Sequence, residues 1–246
     1  MNKTAKITIL AVLSALAISA SILALLFWNG EILINNPNYE EYPVRGVDVS
    51  AYQGEIDWQT LASQDIDFAF IKATEGSGFT DSRFEYNYSE ALKTDIRIGA
   101  YHFFSFESGG DTQAAHFIET VEKTENMLPP VIDVEFYGDF NAENVDKEKI
   151  ISELKAMADM LCSHYGTPPI IYTAEEEYAL FIEGGFESNP IWIRGVYSKP
   201  QISDGRVWTF WQFTNRAKLD GYNGDERFID MNVFNGSFEE FQSFGK

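Results

Sequence analysis

Hydrophobic positions along this chain follow three rhythms. The first is an unbroken, uncharged run from Ile7 to Trp28, preceded by Lys3 and Lys6. A helix over those 22 positions would span about 33 Å, enough to cross a hydrocarbon core about 30 Å thick. The second rhythm is a series of short β-rich runs. They predict strands at Gly46–Val49, Phe68–Lys72, Ile98–Phe103, Val131–Phe136, Ile170–Thr173, Ile191–Arg194, Trp208–Phe213 and Phe228–Phe234. The third is helical spacing at Trp58–Ser63, Phe84–Lys93, Thr112–Lys123, Val145–Tyr165 and Glu175–Ile182. The fourth of these helices is the clearest. Ile150, Ile151, Leu154, Met157, Ala158, Leu161, Cys162 and Tyr165 share one face, and Gly166 with Pro168 and Pro169 end the pattern.

Strands alternating with helices, then two strands with no helix between them, predict one α/β domain. The expected fold is a single (β/α)-type, TIM-barrel-like barrel with an irregular β-rich closing section, preceded by an N-terminal hydrophobic helix. The expected organisation is a cytoplasmic stub at 1–6, a signal-anchor or signal peptide at 7–28, a polar spacer at 29–43 and the barrel at 44–246. Lysines on the N-terminal flank alone keep that end in the cytoplasm. The apolar run outlasts a usual signal-peptide core, which favours a single-pass anchor in the cell membrane. Small residues at Ala15, Ala17, Ser19 and Ser21 keep open the alternative, cleavage and secretion. Both readings export the barrel.

Beyond Lys3 and Lys6, the exported part keeps 16 of the 18 basic residues against all 38 acidic ones. Nucleic acid and anionic lipid headgroups repel such a surface, so neither is an expected partner, and membrane attachment falls to the N-terminal helix. Cys162 is the only cysteine, so no internal disulfide forms. With 20 Phe and 12 Tyr, the chain can rely on its core instead, and Cys162 itself reads as core filler. A monomer is expected.

In a parallel barrel, chemistry gathers at the C-terminal ends of the strands. Those ends are polar and aromatic here: Asp48, Lys72, Glu75, Tyr101, His102, Asp133, Glu135, Tyr172, Trp192, Arg194, Trp211, Gln212 and Asp230. The sharpest signal is the segment LPPVIDVEF at 128–136. Two acids interrupt a buried strand at i and i+2, so Asp133 and Glu135 share a face about 6–7 Å apart. Burying two carboxyls together raises the pKa of at least one. Glycoside hydrolysis needs that outcome, one protonated acid beside one ionised group. The same spacing also suits a salt-bridged or solvated pair. Asp48 reads either as a cleft acid or as a turn former before Gly54. Asp230 reads as a cleft acid or as a partner for Arg194 or Arg227. His102 suits a cleft wall or a satisfied core position, and His116 and His164 fall on helices. Tyr101, Tyr137, Tyr172, Trp192 and Trp211 are candidate sugar platforms or core. H-E-x-x-H, C-x-x-C, G-x-S-x-G and G-x-x-x-x-G-K are absent from the sequence, so no metal and no cofactor is expected.

Six motifs now stand in order: GVDVSAYQGEIDW (46–58), FAFIKATEGSGFTD (68–81), IGAYHFF (98–104), VIDVEF (131–136), WQFT (211–214) and FIDMNVF (228–234). Together they resemble glycoside hydrolase family 25, the N-acetylmuramidase-type lysozymes, over about Arg45 to Phe234. The resemblance implies a (β/α)-type barrel that cleaves the β-1,4 bond between N-acetylmuramic acid and N-acetylglucosamine in peptidoglycan glycan strands. It implies that Glu135 is the general acid and that Asp133 stabilises an oxazolinium formed by the substrate's N-acetyl group. Asp48 and Asp230 match the family's other two cleft acids, with Tyr101, Tyr172, Trp192 and Gln212 along the sugar sites. One departure stands out: WIRGVY carries Arg194 where many relatives have a small residue. That cation would pair with Asp230 or meet substrate carboxylates or the peptide stem. The alternatives to a muramidase are a chitinase- or glucosaminidase-like hydrolase with the same D-x-E logic, and a non-catalytic wall-binding module.

Overall fold

A computed structural model describes residues 2–246. The apolar run forms helix α1 (Lys3–Trp28), capped by the Asn2 side chain, and none of its residues is buried. After it come β1 (Arg45–Val49), α2 (Trp58–Ala62), β2 (Phe68–Glu75), β3 (Phe79–Thr80), α3 (Phe84–Ala91), β4 (Arg97–Phe103) and α4 (Gly110–Thr120). They continue with β5 (Val131–Val134), α5 (Lys147–Tyr165), β6 (Ile170–Thr173), α6 (Glu175–Glu177) running into a π-helical turn at Tyr178–Ile182, and β7 (Ile191–Arg194). The chain ends with β8 (Phe210–Ala217), β9 (Ile229–Phe234) and α7 (Phe238–Ser243). The clearest predicted helix, α5, starts on an Asp146 cap and stops at Gly166, whose φ of 80° suits glycine.

The sheet runs β1-β9-β8-β7-β6-β5-β4-β2-β3, and a further β1–β2 pairing closes it into an eight-stranded barrel with β3 outside. Neighbours from β1 through β2 to β8 pair in parallel, whereas β9 is antiparallel to both β8 and β1. The irregular closing section is therefore a reversed last strand. No crossover helix separates β8 from β9, so the chain can only return beside itself in the opposite direction.

Period-two alternation fills the barrel in layers. Inward at the base stand Phe68, Phe70, Val131, Ile170, Phe210 and Phe234. Phe70 stacks on Trp192 at 4.6 Å and meets Phe210 at 5.3 Å. Phe241 of α7, an element the sequence pattern did not predict, seals the floor against Phe68 at 5.5 Å. Gly46 leaves the room these rings need, since a Cβ there would lie 2.4 Å from the Phe68 ring. Two residues further along the same strands, the inward positions become Asp48, Lys72, Asp133, Tyr172 and Gln212, so an apolar plug carries a polar mouth.

Residues 29–43, expected as a spacer, lie against the barrel. Asn35 donates to the Gly195 carbonyl (2.9 Å), Leu33 packs on the outer core, and Tyr42 is buried against Trp208 and Trp211.

Candidate active site

A cleft of about 340 Å³ opens at the mouth, lined by Asp48, Asp133, Glu135, Asp230, Lys72 and Tyr101, with Tyr172, Trp192 and Gln212 at its floor. All four candidate acids converge there from three strands: Asp48 from β1, Asp133 and Glu135 from β5 and its end, and Asp230 from β9. β5 stops at Val134, so Glu135 stands just past the strand rather than within it. Asp230 reaches the mouth by a different route from the others. It lies near the start of the reversed β9, directly opposite Asp48 in register.

Hydrogen bonds tie these groups into a network. The Gln212 amide donates to both Asp48 oxygens (3.2 and 3.0 Å) and to Asp230 Oδ2 (3.1 Å). Its own carbonyl accepts from the Tyr172 hydroxyl at 3.0 Å. Asn232 donates to Asp48 Oδ2 (2.7 Å) and accepts from Trp192 Nε1 (2.8 Å). Sequence reasoning missed Asn232, although its i+2 spacing from Asp230 puts both on the inward face of β9. It also passed over Lys72 as a site residue. Lys72 bonds Glu75 at 2.7 Å, and its ammonium lies 5.0 Å from the Phe103 ring centroid.

Burial dominates the electrostatics. It pushes Asp48 up to about 6, against the hydrogen bonds from Asn232 and Gln212 and the nearby Arg194 charge. Glu135 rises to about 7, again chiefly by burial; Arg194 opposes the rise, while Glu177 and Asp48 add to it. Asp133 is raised by burial and then by Glu135, and Asp230 by burial and then by Asp48. Asp133 Oδ1 is a buried acceptor with no donor among the described residues. Such an atom is costly to leave unpaired and awaits a ligand N–H or a proton. With Glu135 at about 7 and Asp48 at about 6, the cleft can offer a proton donor beside a more readily ionised carboxyl near neutral pH, an arrangement suited to acid catalysis.

Other candidates resolve differently. Arg194 makes no ion pair with Asp230 among the described residues, and Arg227 instead donates to Asn29. Arg194 stands two residues past the inward Trp192 on β7 and so shares its face, and its charge acts on Asp48, Glu135 and Asp230 at the mouth. Trp192 is 2 % exposed and stacked on Phe70, so it forms the cleft floor rather than an open platform. Trp211 points out of the barrel because it neighbours the inward Gln212, and its Nε1 donates to Gly195. The Tyr137 hydroxyl accepts from the Phe106 backbone N–H (2.9 Å) and braces a loop. His102 is a core histidine, bonded to Thr74 (2.7 Å) and Gln113 (3.0 Å), and burial lowers its pKa to about 4. The aromatic rings left at least partly open to the cleft are Tyr52, Tyr101, Phe103 and Phe228. Among the described residues no cluster of three or more metal-ligating side chains occurs.

The profile of Glycosyl hydrolases family 25 matches residues 47–222. A family 25 glycosyl hydrolase structure from Bacillus anthracis superposes with a TM-score of 0.81 at 51% identity, covering 85% of this chain and 97% of that one. Protein YegX of Escherichia coli K12 is 36% identical over 208 residues, 82% of this chain and 74% of its own length. Lysozyme M1 of Streptomyces globisporus is 32% identical over 79% of this chain and 68% of its own. With its barrel, its carboxyl cleft and these relatives, the chain belongs to glycosyl hydrolase family 25 and is a glycoside hydrolase.

Proposed function

We propose that this chain is an exported muramidase that hydrolyses the β-1,4 bond between N-acetylmuramic acid and N-acetylglucosamine in peptidoglycan. The observation that carries the reading is the pairing of Glu135, raised to about 7, with Asp133, whose Oδ1 lacks a donor, in one cleft.

Glu135 holds a proton at neutral pH and delivers it to the glycosidic oxygen as the bond to the muramic acid C1 breaks. The carbonyl oxygen of that sugar's own N-acetyl group attacks C1 from the opposite face, giving an oxazolinium. Asp133 accepts the amide N–H of the same group, the donor its buried oxygen lacks, and that hydrogen bond orients the acetamido group and stabilises the oxazolinium as it forms. Glu135, now ionised, takes a proton from the water that adds to C1. The acetamido group is restored and a reducing-end muramic acid leaves with retained configuration. Asp48 and Asp230 offer acceptors to the bound sugar, held in place by Gln212 and Asn232. Tyr101, Tyr172 and Trp192 shape the sugar sites, and Arg194 faces the lactyl or peptide-stem carboxylates that distinguish this polymer from chitin.

Purified peptidoglycan should yield new reducing-end muramic acid by mass spectrometry, and Glu135→Gln should lose nearly all of it. New ends on N-acetylglucosamine would reassign the chain as a glucosaminidase. A protein that binds wall but releases no sugar would be a wall-binding module instead.

Helix α1 is long and apolar enough to cross a membrane, and we read it as an uncleaved anchor with the barrel outside the cytoplasm. A tethered hydrolase suits remodelling of the producer's own envelope. After high-salt washing the enzyme should stay with membranes, and recovery of a shortened chain from the medium would replace the anchor with secretion.

A further inference from the structure

We infer that the barrel is mounted with its catalytic mouth toward the membrane, so that it acts on glycan running along the membrane surface. The inference rests on reading α1 as a membrane anchor. A helix joined directly to β1 would put the base of the barrel against the bilayer, because β1 begins at the base. The chain does not take that path. Residues 31–43, at about 3.3 Å per extended residue, are long enough to run the height of the barrel, and they run from mouth to base. Asn35 bonds Gly195 just past the mouth end of β7, and Tyr42 packs beside Trp208, just before the base end of β8.

The end of α1 is clasped to the rim of the cleft. Arg216, near the mouth end of β8, donates to the carbonyls of Phe27 (3.1 Å) and Trp28 (2.9 Å). Its guanidinium lies between the rings of Phe27 and Phe228, 4.8 and 4.5 Å from their centroids. Phe228 itself lines the cleft. Around this clasp, Arg227 donates to Asn29 (3.0 Å) and Lys218 pairs with Glu31 (2.6 Å). Gly30 turns the chain at φ 73°, where a Cβ would strike the Phe228 ring at 2.5 Å. An exposed ion pair alone holds little. Two backbone hydrogen bonds with a cation between two rings hold more, and they fix a direction. Phe27 and the exposed Trp28 stand where aromatic residues favour the membrane–water interface. The acidic barrel is repelled by anionic headgroups, which leaves a gap for a polymer to pass beneath the mouth.

The test uses the full chain in phosphatidylcholine vesicles that carry a headgroup nitroxide. Cys162 is replaced by alanine and a fluorophore is placed at Asn223→Cys, beside the mouth, or at Gln242→Cys, on α7 at the base. The mouth label should lose several-fold more fluorescence than the base label. Arg216→Ala with Lys218→Ala, checked for folding by circular dichroism, should make the two labels similar. Equal quenching in the parent chain, or stronger quenching at the base, overturns the inference. Reconstitution retains α1 whatever a peptidase does in the cell, so this result stands apart from the fractionation that tests anchoring.

Discussion

Asp48 and Asp230 face each other across the β1–β9 pair, and a single side-chain amide, that of Gln212, donates to both. Two carboxyls opposite one another would repel if both were ionised, and burial raises the pKa of each. The amide offsets part of that cost and fixes where both sets of oxygens point.

Gln212→Leu removes these donors while keeping the bulk. Hydrogen bonds to charged groups contribute about 1.5–3 kcal/mol each, so kcat/KM should fall on the order of 10- to 100-fold. The acid limb of its pH profile should move to higher pH as Asp48 loses a stabiliser of its ionised form. A profile identical to the parent's would show that the network does not tune the acids.

As the proposed general acid, Glu135 should set the opposite limb. With its pKa near about 7, activity as a general acid should decline as pH rises through that value. Arg194 is the largest influence holding Glu135 down, so Arg194→Met should shift this limb upward. The same variant should lose discrimination between peptidoglycan and chitin oligosaccharides. An unmoved limb in pH–rate measurements would remove Arg194 from the electrostatics of the acid.

Stability should rise on mild acidification. Burial raises Asp48 from 3.8 to about 6 and Glu135 from 4.5 to about 7, so the folded state binds protons more tightly than the unfolded chain. That contribution is complete below about pH 4 and is lost as pH climbs through about 6 and about 7, on the order of 3 kcal/mol for each group. Thermal melts from about pH 5 to about pH 8 should show a falling midpoint. Asp48→Asn should flatten the slope, and a midpoint that rises with pH would contradict the burial of these acids.

Packing inside the barrel is tight at Gly46. A Cβ placed 2.4 Å from the Phe68 ring overpacks a filled core, costing about 1–3 kcal/mol, or about 2–4 °C per kcal/mol for a domain of this size. Gly46→Ala should lower the melting midpoint accordingly, and adding Phe68→Leu should recover part of the loss. Gly78→Ala, with nothing within 4 Å of the new atom, serves as the comparison and should change little.

Local pattern carried much of this molecule. Alternation around Val131–Val134 and Ile170–Thr173, the Asp146 cap and Gly166 stop of α5, and acids interrupting apolar strands at Asp48, Asp133 and Asp230 all act between near neighbours in the chain. These features can be read without knowing what lies across the fold. Which face of a strand turns inward is a different matter. Trp211 and Gln212 are adjacent, and only closure of the barrel sends the ring outward and the amide to the acids. The reversal of β9 follows from a short loop that permits no crossover, and it alone sets Asp230 against Asp48 and brings Asn232 onto Asp48. The mounting of α1 on the cleft rim depends on contacts between residues nearly two hundred positions apart. The sequence by itself determined a membrane-length helix, an α/β barrel and a set of acids on apolar strands. Tertiary structure decided their proton affinities and their partners, because burial and convergence of charge exist only once distant strands share one cavity.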